Sequence, residues 1–175
     1  EFAGEGISYD FAGVIDGGWQ RDGIPANDLQ VVSSPIAVPL PVGGGLAFLA
    51  ESITVENDFV IEDGSVNCVS DDVEIDVYGD LTLNGGELGL GTTTKVGGDI
   101  TIGSGASLNA YADMNTISVG GDWTNGDSFD AGNGTVTFDG TALQSINAGG
   151  TGADKDFNNI TIADGAIAQL ALTDM

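Results

Sequence analysis

Apolar and polar residues alternate along four short stretches that repeat one pattern. The stretches are Val55–Ile61, Val77–Leu83, Val96–Ile102 and Val119–Asn125. Side chains in a β-strand point alternately to two faces, so each stretch predicts a strand with one apolar face. Their starting positions are 22, 19 and 23 residues apart, a period near 21 residues. Such a period is typical of repeat architectures, in which each repeat buries its apolar face against its neighbours.

The repeats predict an all-β fold, a parallel β-solenoid with coils of about 21 residues. Equivalent positions of successive coils then stack at the strand spacing of about 4.8 Å. The predicted inward ladders are Val55/Val77/Val96/Val119 and Phe59/Leu81/Ile100/Trp123. A fainter copy of the pattern occurs at 157–162, and residues 46–175 leave room for about six coils. A β-sandwich also has short recurring strands, but it gives no reason for the same residues to recur in the same order.

An acidic ladder is expected on the outer surface, formed by Asp58, Asp80, Asp99 and Asp122, with Asn159 as a candidate fifth member. At the strand spacing, each neighbouring pair of carboxylates would repel by about 1 kcal/mol in water and about 3–4 kcal/mol at an effective dielectric of 20. Calcium ions between the carboxylates would relieve this repulsion, so the four residues are the predicted metal site. The alternative is that each aspartate accepts a hydrogen bond from a neighbouring turn or from a threonine, and that salt screens the charge.

Three segments organise the chain as a whole. Residues 1–16 predict an amino-terminal arm, in which Ile7, Tyr9 and Phe11 alternate with polar residues, and 17–175 form the solenoid domain. Residues 33–45 are rich in proline and glycine, and their missing amide donors predict a loop or an edge segment. Turns between strands are expected where glycine clusters with Asp, Asn or Ser, as at 62–64, 84–86 and 103–105.

Three stretches resemble the β-helices of large secreted microbial surface proteins. They are the entry region 19–32, the repeated Val-x-Gly-Asp-(Leu/Ile/Trp)-Thr pattern, and 132–140. The latter two are similar to the repeats of adhesin-like and haemagglutinin-like solenoids. This resemblance covers most of 17–162 and implies an extracellular location, with no catalytic residue that can be carried over.

Charge and composition restrict the partners. The formal net charge is −24, from 27 acidic residues against Arg21, Lys95 and Lys155. Such a surface repels nucleic acid. No apolar run approaches the about 18 residues that a membrane span needs.

The available side chains favour a protein that is not an enzyme. Histidine is absent from the sequence and Cys68 is the single cysteine, which excludes Ser/His/Asp and Cys/His catalysis. A polysaccharide lyase would depend on one of three basic residues. A glycosidase needs two carboxylates, but the long loops that enclose a sugar cleft are missing.

The carboxyl-terminal segment predicts either that the chain is a segment of a longer protein or that another subunit covers its end. Ile167, Leu170 and Leu172 lie in an apolar strand with no polar cap after it. A strand from the arm of a second copy would cover this edge by β-augmentation, giving a homo-oligomer or filament. The predicted function is an extracellular structural protein, a cell-surface filament subunit or adhesin module. The alternative is a carbohydrate-binding or polysaccharide-degrading β-helix domain.

Overall fold

The computed structural model describes residues 36–39, 46–49, 52–68, 73–110 and 115–171. Within these residues the chain forms a succession of short strands that belong to three sheets, each with parallel strand pairing. The result is a β-solenoid of about 5 turns with coils of roughly 22 residues, as the repeat pattern predicts. The expected six coils are therefore slightly too many; among the described residues, the two coils that begin with β15 (Thr135–Phe138) and β17 (Asn159–Ile162) have no strand in the third sheet.

Each complete coil contributes one strand to each sheet in turn. The first sheet contains β3 (Ile53–Val55), β6 (Glu74–Val77), β9 (Thr93–Val96), β12 (Thr116–Val119), β15 (Thr135–Phe138) and β17 (Asn159–Ile162). The second sheet contains β1 (Ile36–Pro39), β4 (Phe59–Asp63), β7 (Leu81–Leu83), β10 (Ile100–Ile102), β13 (Trp123–Asn125), β16 (Leu143–Asn147) and β18 (Ile167–Leu170). The third sheet contains β2 (Leu46–Leu49), β5 (Ser65–Cys68), β8 (Gly86–Gly89), β11 (Ala106–Asn109) and β14 (Ser128–Asp130).

The register of the sheets confirms both predicted apolar ladders. In the first sheet Val77 is aligned with Val55 and Val96, and Val96 with Val119. In the second sheet the aligned residues are Phe59, Leu81, Ile100 and Trp123, followed by Ile146. All of these side chains are buried. The core is therefore a stack of equivalent apolar layers, each covered by the coil before and the coil after it.

Glycines shape the corners between the second and third sheets. Gly64, Gly86 and Gly105 have φ angles of 81°, 72° and 83°. Residues with a Cβ rarely adopt this conformation, so glycine is the residue that lets the chain turn there. All three lie in turns predicted from the sequence.

The proline-containing segment supplies an edge strand. Strand β1 pairs with β4 at one edge of the second sheet, and the register shifts between Val38 and Pro39. Proline has no amide hydrogen to donate, and sheets tolerate it in edge strands; β1 is the outermost strand of this sheet among the described residues. The remainder of 33–45 and the arm 1–16 lie outside the described residues.

The coil that contains β15 and β16 departs from the three-strand plan. After β16 a short 3-10 turn, Ala153–Lys155, lies against β14 where a further strand of the third sheet would be expected. The side chain of Asn125, buried at an inward position, donates to the carbonyl oxygen of Asp154 at 3.1 Å, and Lys155 Nζ donates to the carbonyl of Asp127. These bonds attach the turn to the coil below it.

An aromatic cluster fills the core beneath this turn. The ring centroids of Trp123 and Phe129 are 4.8 Å apart in an edge-to-face arrangement. Phe157, which follows the turn, lies 5.1 Å from Trp123 and 6.3 Å from Phe138. Because Phe157 touches three rings, it links this irregular coil to the regular coils.

The carboxyl-terminal coil leaves apolar side chains uncovered. Ile160 and Ile162 of β17 are 45% and 43% exposed, and Leu170 of β18 is 69% exposed. Their aligned neighbours in the preceding coil, Val136, Phe138 and Ile146, are buried. The three exposed residues therefore occupy core positions with no further described coil above them; together they are called the open end. In the described part of the chain, no helix is long and apolar enough to cross a membrane.

Candidate functional site

The four predicted site aspartates lie at equivalent places in successive coils. Each occupies the corner between a strand of the first sheet and the next strand of the second sheet. Asp58 follows β3, Asp80 follows β6, Asp99 follows β9 and Asp122 follows β12. The repeat period therefore brings them into one column, which we call the aspartate ladder.

Each carboxylate of the ladder accepts a hydrogen bond from the backbone of the next coil. The amide N–H of Asp80 donates to Asp58 Oδ1 at 3.0 Å, that of Asp99 to Asp80 Oδ1 at 2.8 Å, and that of Asp122 to Asp99 Oδ1 at 2.7 Å. Hydrogen bonds to an ionised acceptor are stronger than those between neutral groups. The ladder thus satisfies an amide at every corner and joins consecutive coils outside the sheets.

A backbone hydrogen bond runs in the opposite direction at the same corners. The amide of Phe59 donates to the carbonyl of Asp80 at 2.7 Å, and that of Leu81 donates to the carbonyl of Asp99 at 2.9 Å. Each corner is therefore held by one side-chain and one main-chain bond. This is the hydrogen-bonded alternative considered from the sequence, with a backbone amide as the donor.

A glycine precedes three of the four ladder aspartates and is required by the same contact, whereas Asn57 precedes Asp58. A Cβ atom on Gly79 would lie 2.2 Å from Asp58 Oδ1, on Gly98 2.0 Å from Asp80 Oδ1, and on Gly121 2.1 Å from Asp99 Oδ1. These distances are far below van der Waals contact. The Gly-Asp pair is therefore a single structural unit. The glycine leaves space for the aspartate carboxylate of the preceding coil, and the aspartate contributes the carboxylate that contacts the following coil. Recurrence of Gly and Asp at adjacent positions was the signal for this relationship.

The fifth member of the ladder is Ser145 rather than Asn159. The amide of Ser145 donates to Asp122 Oδ1 at 2.7 Å, whereas Asn159 begins β17 and is aligned with Thr135 in the first sheet. The similarity of 157–162 to the repeated pattern is therefore out of phase with the coils. A strand rich in Ile and Thr fits either sheet, so its composition alone did not determine which one it joins.

An insertion of four residues explains why the ladder ends there. Val119 and Phe138 are aligned, as are Trp123 and Ile146, so the separation of 4 (119 to 123) becomes 8 (138 to 146). Gln144, buried within the insertion, donates to the carbonyl oxygens of Val119 at 2.9 Å and Gly121 at 2.5 Å. Its Oε1 accepts the amide of Gly140 at 2.9 Å. One amide side chain therefore bonds to three backbone groups at this irregular corner.

The metal-binding hypothesis is not decided by this geometry. Among the described residues, no three or more acidic or cysteine side chains converge as a metal-binding group. Oδ1 of each of the four aspartates is already bonded to an amide. A calcium ion would therefore have to bridge successive carboxylates through their second oxygens. Calcium binding at Asp58, Asp80, Asp99 and Asp122 remains a prediction.

If calcium bridges the ladder, millimolar calcium should raise the Tm by more than sodium at equal ionic strength, because a ligand that binds only the folded state stabilises it. The matched variant is Asp99→Asn, whose amide oxygen can still accept the Asp122 amide but whose charge is lost. We expect this variant to lose the calcium-specific increase. Equal increases with the two salts, measured by thermal denaturation, would leave the ladder as a hydrogen-bonded, screened column.

Cys68 has the environment of a structural residue. Its side chain packs against the core, and burial raises the pKa of the thiol from 9.0 to about 11, a shift that a hydrogen bond from the backbone of Gly91 partly opposes. The thiolate is the reactive and metal-binding form of cysteine. At neutral pH the thiol is therefore protonated and poorly suited to nucleophilic chemistry.

Three comparisons of the chain with known proteins found no match. No protein-family model matches the chain. Comparison with curated proteins found no match, and comparison with solved structures found none either. The functional reading therefore rests on the chain's own residues.

The remaining sequence-predicted residues are separated by the structure. Leu170 belongs to the open end, whereas Ile167 is aligned with Leu143, an exposed residue on the outer side of the second sheet. Lys95 is exposed on the first sheet. Arg21, the arm residues Ile7, Tyr9 and Phe11, and Leu172 lie outside the described residues.

Proposed function

We propose that this protein is an extracellular structural module, a subunit of a microbial cell-surface filament or adhesin, that assembles along the solenoid axis by strand addition. The observation that carries the proposal is the open end, where Ile160, Ile162 and Leu170 occupy core positions yet remain exposed. Burying such side chains is worth about 1.5–3 kcal/mol each. The open end is therefore a strong site for an additional layer of strand.

The edges of two sheets support the same proposal. Strand β17 is the last described strand of the first sheet, and β18 is the last described strand of the second. A strand without a neighbour presents backbone donors and acceptors that pair readily with another chain. Pairing would add hydrogen bonds at the moment the apolar side chains are covered.

The occupant that we propose is the amino-terminal arm of a second copy. Ile7, Tyr9 and Phe11 alternate with polar residues, so one face of the arm would cover the open end while the other stays in solvent. The contact joins different surfaces of two copies, and such heterologous contacts propagate into filaments when they do not close. A net charge of −24 per copy opposes side-by-side contacts and makes assembly dependent on salt or calcium.

An adhesin or haemagglutinin type of surface protein is the specific class that we propose, on the basis of the Val-x-Gly-Asp repeats and the solenoid that they form. A rod of stacked coils suits a spacer or scaffold, since its length grows with each coil while its cross-section stays constant. The sequence contains no histidine, and this too favours a structural role over catalysis.

The test compares assembly of the full chain with two variants in calcium-containing buffer. Deleting residues 1–12 removes the proposed donor strand, and Leu170→Lys places a charge on the open end. Both should shift filaments or oligomers toward monomers in light scattering and electron microscopy. Leu143→Lys is the matched control, because Leu143 is 56% exposed on the outer side of the same sheet and should leave assembly unchanged.

Two results would contradict this proposal. If the full-length chain stays a compact monomer in this buffer, the arm does not mediate assembly. The protein would then be better explained as a segment of a longer adhesin. Filaments that survive Leu170→Lys would show that the contact lies elsewhere on the solenoid.

A further inference from the structure

A notch interrupts the corner between the first and second sheets, next to the aspartate ladder. Tyr78, Gly97, Gly120 and Asp139 each follow the last residue of a first-sheet strand, so they form a second column along the axis. The aromatic ring stands at one end of this column and the carboxylate at the other, three strand spacings or about 14 Å apart. Between them the two glycines present no side chain.

Close packing of successive coils keeps the notch open. A Cβ atom on Gly97 would lie 2.5 Å from the carbonyl oxygen of Tyr78, and one on Gly120 would lie 2.3 Å from that of Gly97. Any larger residue would therefore collide with the backbone of the coil below. The two glycines are required by the fold, and the consequence is a permanent recess in an otherwise continuous surface.

Polar side chains of the first sheet form one wall of the recess. Asp76, Lys95 and Ser118 are aligned on the outer face of β6, β9 and β12. Ser118 Oγ donates to Asp139 Oδ2 at 2.5 Å, which holds the carboxylate at the end of the notch. Together with Tyr78 and the glycines, these residues line an open groove of about 280 Å³.

The chemistry of the groove combines a flat apolar ring with charged hydrogen-bonding groups. Tyr78 is 62% exposed, so its ring is accessible to a ligand. Small-molecule sites typically pair apolar or aromatic surfaces with a few placed polar groups, and those for drug-sized ligands occupy about 300–1,000 Å³. The volume of the groove lies just below that range, so the groove can hold a ligand of one or two small rings.

We propose that this groove is a binding site for a neutral saccharide. The ring of Tyr78 packs against the carbon–hydrogen face of one sugar ring, as aromatic side chains do with flat apolar surfaces. Asp139 and Asp76 accept hydrogen bonds from sugar hydroxyls, and Lys95 donates one. Hydrogen bonds to ionised groups of this kind fix the orientation of the ligand.

The charge of the protein selects a neutral ligand over an anionic one. Two carboxylates and one ammonium line the groove, so its local balance is acidic, and the whole chain carries a net charge of −24. The summed field of such a surface repels acidic polysaccharides. A neutral oligosaccharide escapes this repulsion while using the same hydrogen-bonding groups. The inference does not depend on filament assembly, since the groove lies on the side of the solenoid.

The experiment uses saturation-transfer NMR titrations of the full chain with cellopentaose, laminaripentaose and chitopentaose. An open groove of this size is expected to bind with a Kd in about the millimolar range. Tyr78→Ala should weaken binding at least about tenfold, whereas Tyr78→Phe should keep it within about threefold because the ring is retained. Asp139→Asn should weaken binding without changing the shape of the groove.

Thr101→Ala is the control variant, because Thr101 lies on the outer face of the second sheet, in β10. It should bind as the unmodified protein does, and thermal denaturation of every variant checks that the fold is intact. Absence of binding to all three sugars up to about 10 mM would overturn the proposal. So would binding that is unaffected by Tyr78→Ala. Tetramethylammonium chloride serves as a cationic probe. If this ion binds more tightly than the sugars and its binding depends on Tyr78, the groove is a site for a cationic ligand and the saccharide proposal is wrong.

Discussion

Replacing Trp123 with alanine is expected to lower the free energy of unfolding by about 3–5 kcal/mol, the range for removing a large aromatic side chain from a core. The side chain is fully buried and lies between Ile100 and Ile146 of the adjoining coils. Its ring also contacts Phe129 and Phe157. The loss therefore affects the regular coils and the irregular coil that contains β16 together.

Denaturant unfolding followed by circular dichroism measures this change, since the spectroscopic signal does not depend on the removed indole. Tyr78→Ala is the matched control, because Tyr78 is an exposed aromatic residue two coils before Trp123. It should change the free energy of unfolding by no more than about 0.5 kcal/mol. A loss below about 1 kcal/mol for Trp123→Ala would contradict the placement of this residue in the core.

Gly98→Ala is expected to destabilise the protein by about 3 kcal/mol, although it adds a single methyl group to the surface. The new Cβ would lie 2.0 Å from Asp80 Oδ1, where the carboxylate accepts the amide of Asp99. The corner must open to relieve the contact. The cost combines overpacking, about 1–3 kcal/mol, with the loss of a hydrogen bond to a charged acceptor, about 1.5–3 kcal/mol when fully formed.

Gly105→Ala separates this contact from the general cost of replacing a turn glycine. Gly105 has a φ of 83°, but a Cβ there would meet nothing within 4 Å. We expect a loss of about 1–2 kcal/mol, which reflects the backbone conformation alone. Chemical denaturation of the two variants checks the comparison. If Gly98→Ala proves no more destabilising than Gly105→Ala, the carboxylate does not fill the space before the next aspartate.

The coil architecture could be predicted because the sequence repeats its apolar positions in a constant order. Alternation along the strand predicts that the side chains of Val77 and Ile100 point inward. The repeat period predicts which residue of the next coil is aligned with each of them. Both predicted ladders were confirmed in register. The prediction that Asn159, in the faint copy at 157–162, continues the aspartate ladder was wrong. An insertion in the preceding coil changed the number of residues between the first and second sheets.

The candidate site was predicted in part. The alignment of Asp58, Asp80, Asp99 and Asp122 follows directly from the repeat. The donor to each carboxylate, a backbone amide of the next coil, depends on how tightly two corners approach each other. That distance is a property of the folded coil, and alternation along a strand carries no information about it.

The sequence by itself determined the fold class, the apolar ladders and the acidic column, since each of these follows from a local period repeated many times. The prediction of one strand for Val77–Leu83 was wrong, because the chain turns at the Gly-Asp corner and the stretch contributes to β6 and β7 of two different sheets. Only the tertiary structure decided which polar residues belong to the core, as Asn125 and Gln144 do. It also decided that Tyr78, Gly97, Gly120 and Asp139 border one groove. These features depend on contacts between residues about 20 positions or more apart in the chain. Such contacts exist only after the coils stack, because stacking is what brings a side chain to the backbone groups that it satisfies.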